Sequence, residues 1–130
     1  MIRKILAVLV GLFTAVATVA VVERLGHFVF PPPENIDYSD MAAVKAMLKS
    51  MPVAAFSFVL AAWFLGTFIG SSIGLLIAKS RHFWFAATIS VLMLVAAVVT
   101  TVSIPHPFWF VATAIVGIPI SGWLAWRLRQ

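Results

Sequence analysis

Residues 53–78 read VAAFSFVLAAWFLGTFIGSSIGLLIA, without a single charged side chain. A helix rises about 1.5 Å per residue, and about 20 apolar residues cross the roughly 30 Å hydrocarbon layer of a bilayer. This run is long enough to do so. It shows no strict apolar–polar alternation, so it does not read as a half-buried strand. Small residues recur every fourth position instead: Ala62, Gly66, Gly70, Gly74 and Ala78. Lipid gives no hydrophobic drive between helices, so spanning helices associate through close backbone approach at such positions. The stretch predicts a membrane-spanning helix with a packing face.

Working outward, three further runs repeat the signal. Arg3 and Lys4 precede an apolar segment from Ile5 to Val22, and two others run from Phe83 to Ser103 and from Phe108 to Leu128. The predicted spans are 3–30, 53–78, 83–103 and 108–128. The first also has the outline of a signal peptide, with a basic start and Ala15 and Ala17 in A-x-A spacing; it is read here as a spanning helix. Of the 130 residues, 63% are hydrophobic and 10% charged, and the mean hydropathy is +1.11. Soluble domains carry about 25% charged residues. The expected fold is a single all-α membrane domain, a four-helix up-down bundle. Too little polar sequence remains for an extramembrane enzymatic domain. The absence of cysteine removes disulfides, thiolate metal sites and cysteine nucleophiles.

The one long polar segment follows the first span. Pro31 to Pro33 stop the helix in extended geometry. Asp37, Ser39 and Asp40 are helix-starting residues. Met41, Val44, Met47, Leu48 and Met51 then recur at helical spacing, with Lys45 and Lys49 on another face. This predicts a short amphipathic helix over about 40–50, lying at the membrane surface or covering the end of the bundle.

Charge sets the expected orientation. Arg3, Lys4, Lys79, Arg81, Arg127 and Arg129 fall on one side of the bundle, and Glu23, Glu34, Asp37 and Asp40 on the other. Short loops rich in Lys and Arg stay in the cytoplasm. Both termini are therefore expected on the cytoplasmic side of the membrane, with the proline loop outside. The net charge of +5 reads as topology, with the lipid bilayer as partner and no nucleic acid. Trp84, Trp123 and Trp126 are expected at the inner interface and Trp109 at the outer.

Two sets of residues stand out. The last span carries Thr113, Gly117, Ser121 and Ala125, and the first carries Ala7, Gly11 and Ala15, each at four-residue spacing. With the stripe of 53–78 these predict packing inside the bundle; a homo-oligomer or larger membrane complex is the alternative. Pro119 predicts a kink. The second set is polar. Glu23 and His27 share a helix face, about 27 Å along the axis from Ile5, near the edge of the hydrocarbon. With Asp37, Asp40 and His106 they form the candidate functional cluster. An ionisable group in a spanning helix is a functional candidate by default. The position of Glu23 near the hydrocarbon edge weakens that default and favours a structural reading, with Glu23 bonded to Arg24, His27 or backbone amides. No cofactor is expected; a divalent metal on imidazole and carboxylate is the competing reading.

Glu23-x-x-Gly26-His27, Phe30-Pro31-Pro32-Pro33, Met51-Pro52 and Ile104-Pro105-His106-Pro107-x-Trp109 together resemble a group of small uncharacterised bacterial four-helix membrane proteins. That resemblance implies a bacterial four-helix protein of the inner (cytoplasmic) membrane but no activity. Small multidrug exporters are similar in size, but they place a glutamate in the middle of their first helix. The leading expectation is a non-enzymatic accessory, assembly or envelope component acting through helix packing and its outer loop. The rivals are a small homodimeric transporter or channel using Glu23, and an outer-face metal-binding protein.

Overall fold

Five helices follow one another: α1 (Ile2–Val29), α2 (Met41–Ser50), α3 (Val53–Ala78), α4 (Trp84–Ser103) and α5 (Phe108–Arg127). They are taken from a computed structural model that describes residues 1–130, and no strand is present. All but α2 are long and apolar enough to cross a membrane. α1 stops at Val29, one residue short of the predicted limit. Phe30 precedes a proline and is pushed out of the helical region, to φ −126° and ψ 77°. Its N–H still closes the last turn on the Gly26 carbonyl at 2.8 Å.

Contacts at one end fix the up-down arrangement. Arg3 donates to the Ala78 carbonyl at 3.3 Å. The indole of Trp126 donates to the Arg81 carbonyl at 2.7 Å, and Arg81 donates to the Gln130 carbonyl at 3.3 Å. Both termini and the α3–α4 turn thus gather at what is called here the terminal end. Lys79 makes that turn with φ 49°, the left-handed cap that ends α3. The proline segment, α2 and the α4–α5 turn form the opposite, loop end.

The most intimate pair is α1 with α3. A Cβ added to Gly70 would stand 2.5 Å from the Gly11 carbonyl oxygen and 2.6 Å from the Ala15 Cβ. One added to Gly66 would stand 2.7 Å from the Ala15 oxygen, and one on Gly74 would stand 3.2 Å from that of Ala7. Ala62, Gly66, Gly70, Gly74 and Ala78 are all buried. The stripe on α3 therefore meets the small residues of α1 backbone to backbone, within one chain. A second copy cannot use that face without displacing α1.

α5 packs differently. Gly117 is the seat of the Phe64 ring, and Gly122 that of the Ser90 hydroxyl. Ser121 is buried and donates to the Gly117 carbonyl at 2.8 Å. Thr113 lies on the exposed face, so only the later part of the predicted stripe is interior. α5 continues through Pro119, which faces outward.

α2 closes the loop end. Asp40 caps it, accepting from the N–H groups of Ala42 at 3.0 Å and Ala43 at 3.5 Å. Val44 is buried, and Leu48 and Met51 pack onto the core built by Phe56, Trp63, Met93 and Phe110. Lys45 and Lys49 point outward. Of the two expectations for this helix, its contacts fit the cap.

Candidate functional site: a carboxyl between two clefts

The helical periodicity of α1 places Val16, Ala20, Glu23 and His27 along one stripe. Glu23 sits six residues before the end of α1 at Val29, or about 9 Å along its axis. Its neighbour on α4 is Thr100, about 4.5 Å inside the end of that helix at Ser103. The carboxyl is therefore about a turn below the loop-end boundary of the bundle.

Its partner comes from α3. The indole N–H of Trp63 donates to Glu23 Oε1 at 3.2 Å. Trp63 is 6% exposed, and its ring meets Phe110 edge to face with centroids 5.3 Å apart. The sequence expectation of Arg24, His27 or backbone amides as the partner is corrected here. The cause is the tight α1–α3 crossing at Ala15 and Gly66. It brings the indole, one turn beyond Gly66, under the carboxyl. A signal was present in the sequence: Trp63 stands near the middle of an apolar span, away from the interfacial belts, and a buried indole N–H needs an acceptor.

Two clefts meet at this carboxyl. The first, about 420 Å³, is open and lined by Ala20, Glu23, Arg24, His27 and Phe28 of α1. The second, about 210 Å³, lies between α1, α3 and α4, where Glu23 joins Val16, Val19, Trp63, Met93, Ala97 and Thr100. Glu23 is the only acid in either. A separate cleft of about 350 Å³ lies at the terminal end of the α1–α4 seam, where Lys4 is its only charged residue.

Of the remaining predicted residues, only His27 lines either cleft. His27 shares the first cleft with Glu23 and is exposed. Asp37 is held by its own turn: it accepts from the Ser39 N–H at 2.9 Å and from the Ser39 hydroxyl. These bonds favour the charged form and draw its carboxyl below the usual range. Asp40 is committed to capping α2. His106 is half-buried, stacked on Phe110 at 4.6 Å and 16°, with the edge of Phe56 6.3 Å away. Its Nδ1 lies 2.6 Å from the Ile104 carbonyl, so that nitrogen carries a proton and donates. Burial pushes the imidazole pKa down, and the Ile104 bond opposes this in part. No three His, Asp or Glu side chains are grouped to hold a metal ion. Of the five-residue cluster, only Glu23 and His27 come together. The proline block carries the loop acids away, and Phe110 draws His106 into the aromatic core.

These features define a multi-pass, four-helix membrane protein with one half-buried carboxyl on a spanning helix. No family model matches the chain, and no curated protein or solved structure is significantly similar to it.

Proposed function

We propose that this is a small, non-enzymatic component of the bacterial inner membrane, with both termini in the cytoplasm, that binds an amphiphilic ligand at the Glu23 clefts in the outer half of the bilayer. One observation carries the reading: Glu23 accepts from Trp63 while lining both a polar cleft and an apolar one. An ionisable side chain placed in a spanning helix is a candidate ligand or ion position by default. The charge asymmetry supports the orientation, since the termini and the α3–α4 turn hold six Lys and Arg residues, at positions 3, 4, 79, 81, 127 and 129, and no acid. The motif resemblance supports the bacterial setting.

Packing bears on the rivals. The α3 stripe, which a homodimer could have used as its interface, is occupied by α1. The metal reading needs ligands that are committed elsewhere. Native mass spectrometry after extraction in mild detergent tests the proposal. Wild type is expected to retain about one amphiphile per chain, and Glu23→Leu to lose it. Ligand-free wild type, whose unfolding temperature is moved by no fatty acid, phospholipid or lipophilic cation, refutes it.

A further inference from the structure

Seen from α1, the two clefts form one surface. Val16, Ala20, Glu23 and His27 are spaced by four, three and four residues, so they line a single stripe about 16 Å long. Its polarity changes along its length. At the loop end stand Glu23, Arg24 and His27. Toward the middle of the bundle stand Val16, Val19, Met93 and Ala97. A polar head at the bundle's boundary and an apolar groove running inward match the shape of a lipid.

The charges narrow the kind of lipid. A ligand on this surface meets a carboxyl, a guanidinium and an imidazole within one helical turn. An anionic head without a cation is repelled by Glu23. A simple cation leaves Arg24 unanswered. A head that carries both signs satisfies all three groups. Glu23 has acceptor sites to spare, because Trp63 engages Oε1 alone and a carboxylate offers about four lone-pair positions. A primary ammonium brings three donors to them. A quaternary ammonium brings none. It is recognised instead by the faces of aromatic cages, whereas here the only indole in the cleft turns its N–H edge to the carboxyl.

We infer that this surface holds an aminophospholipid. Its primary ammonium donates to Glu23, its phosphate accepts from Arg24 and His27, and one acyl chain lies in the cleft between α1 and α4. The assignment rests on the proposal that the Glu23 clefts bind an amphiphile, and it names the class.

The test adds phosphatidylethanolamine, phosphatidylcholine or phosphatidylglycerol separately to delipidated protein in detergent and measures binding by native mass spectrometry. Phosphatidylethanolamine is expected to bind about tenfold more tightly than the other two, the scale of a charge-assisted hydrogen bond. Glu23→Gln keeps an acceptor for Trp63 and so the fold, and it should bring phosphatidylethanolamine down to the level of phosphatidylcholine. Arg24→Ala with His27→Ala should weaken both of these lipids together. Lys4→Ala, in the other cleft, should leave the preference unchanged. Equal binding of the three lipids, preference for phosphatidylglycerol, or a preference that survives Glu23→Gln overturns the assignment. Glu23-dependent binding of a fatty acid or lipophilic cation alone also overturns it, while leaving the broader proposal standing. Binding of no amphiphile overturns both.

Discussion

The indole of Trp63 and the carboxyl of Glu23, 40 positions apart in sequence, form the one side chain–side chain hydrogen bond between two helices of this bundle. Elsewhere the hydroxyls of the spanning helices bond to carbonyls of their own helix, as Thr67 does to Trp63 and Ser90 to Ala86, except that of buried Ser71, which has no partner. The Glu23 bond therefore adds a directional contact toward the loop end of the α1–α3 seam, whose other such contact is the one from Arg3 to the Ala78 carbonyl at the terminal end. Trp63→Phe keeps a ring against Phe110 but leaves the carboxyl without its donor. A buried polar group that loses its partner costs about 1–3 kcal/mol, and half-buried Glu23 belongs at the low end. The unfolding midpoint in detergent should fall by that measure. Glu23→Gln should be nearly neutral for stability, and the double variant Glu23→Leu, Trp63→Phe should cost less than the sum of its parts. Additive losses would show that the two groups do not depend on each other.

Gly70 and Gly11 meet with no room for a methyl group. The Cβ of Gly70→Ala would press on the Gly11 carbonyl and on Ala15, both on the body of α1 rather than at the end of a flexible side chain. α1 and α3 must then separate. Overpacking of this kind costs about 1–3 kcal/mol, and Gly70→Leu should cost more and lower expression. Gly26→Ala makes its nearest approach, 3.1 Å, to the Phe58 side chain and should be milder. Because the seam is internal, neither change should alter oligomer size in light scattering. A change in oligomer size with unaltered stability would move the stripe to a subunit interface.

Much of this fold is legible in the chain because lipid imposes few solutions. Apolar runs of spanning length, the proline stop at Pro31 and the four-residue spacing of Gly66, Gly70 and Gly74 each follow from one local rule. The site is less legible because it depends on register between helices. Which residue lies under Glu23 is decided by the crossing of α1 and α3 at Ala15 and Gly66, and no local pattern states that crossing. His106 fails as a site residue for a related reason. Its motif, Pro105-His106-Pro107, gives the turn but not the side on which the imidazole falls, and Phe110 and Phe56 decide that. Asp40 was visible both as a helix-starting residue and as a candidate ligand; the capping role is the one its bonds to Ala42 and Ala43 fulfil.

His106 makes stability depend on pH. Its pKa in the folded chain lies below the ordinary 6.5, because burial against Phe110 and Phe56 disfavours the charged ring. Above pH 6.5 the imidazole is neutral in both folded and unfolded chains, and its packing contributes fully. As pH falls through 6.5 the unfolded chain takes up the proton first, so stability declines, and it stops declining once the folded pKa is passed. Unfolding midpoints between pH 8 and pH 5 should therefore drop in wild type and drop less in His106→Phe, which keeps the stack without the titrating group. Equal slopes would assign the acid sensitivity to another residue.

Orientation in the membrane can be read by labelling, since the chain has no cysteine to remove. Tyr38, in the loop before α2, is 61% exposed, and His82, in the α3–α4 turn, is also exposed. The proposed topology puts them on opposite sides of the bilayer. In intact cells with a permeabilised outer envelope, Tyr38→Cys should react with a membrane-impermeant maleimide, and His82→Cys should react only after the inner membrane is opened. The basic residues make a further demand. If Lys79, Arg81, Arg127 and Arg129 hold the terminal end inside, replacing all four by Gln should leave a population in which His82→Cys reacts from outside. Inverted labelling of the unmodified chain would place the Glu23 clefts in the cytoplasmic half of the bilayer and move the proposed ligand to that leaflet.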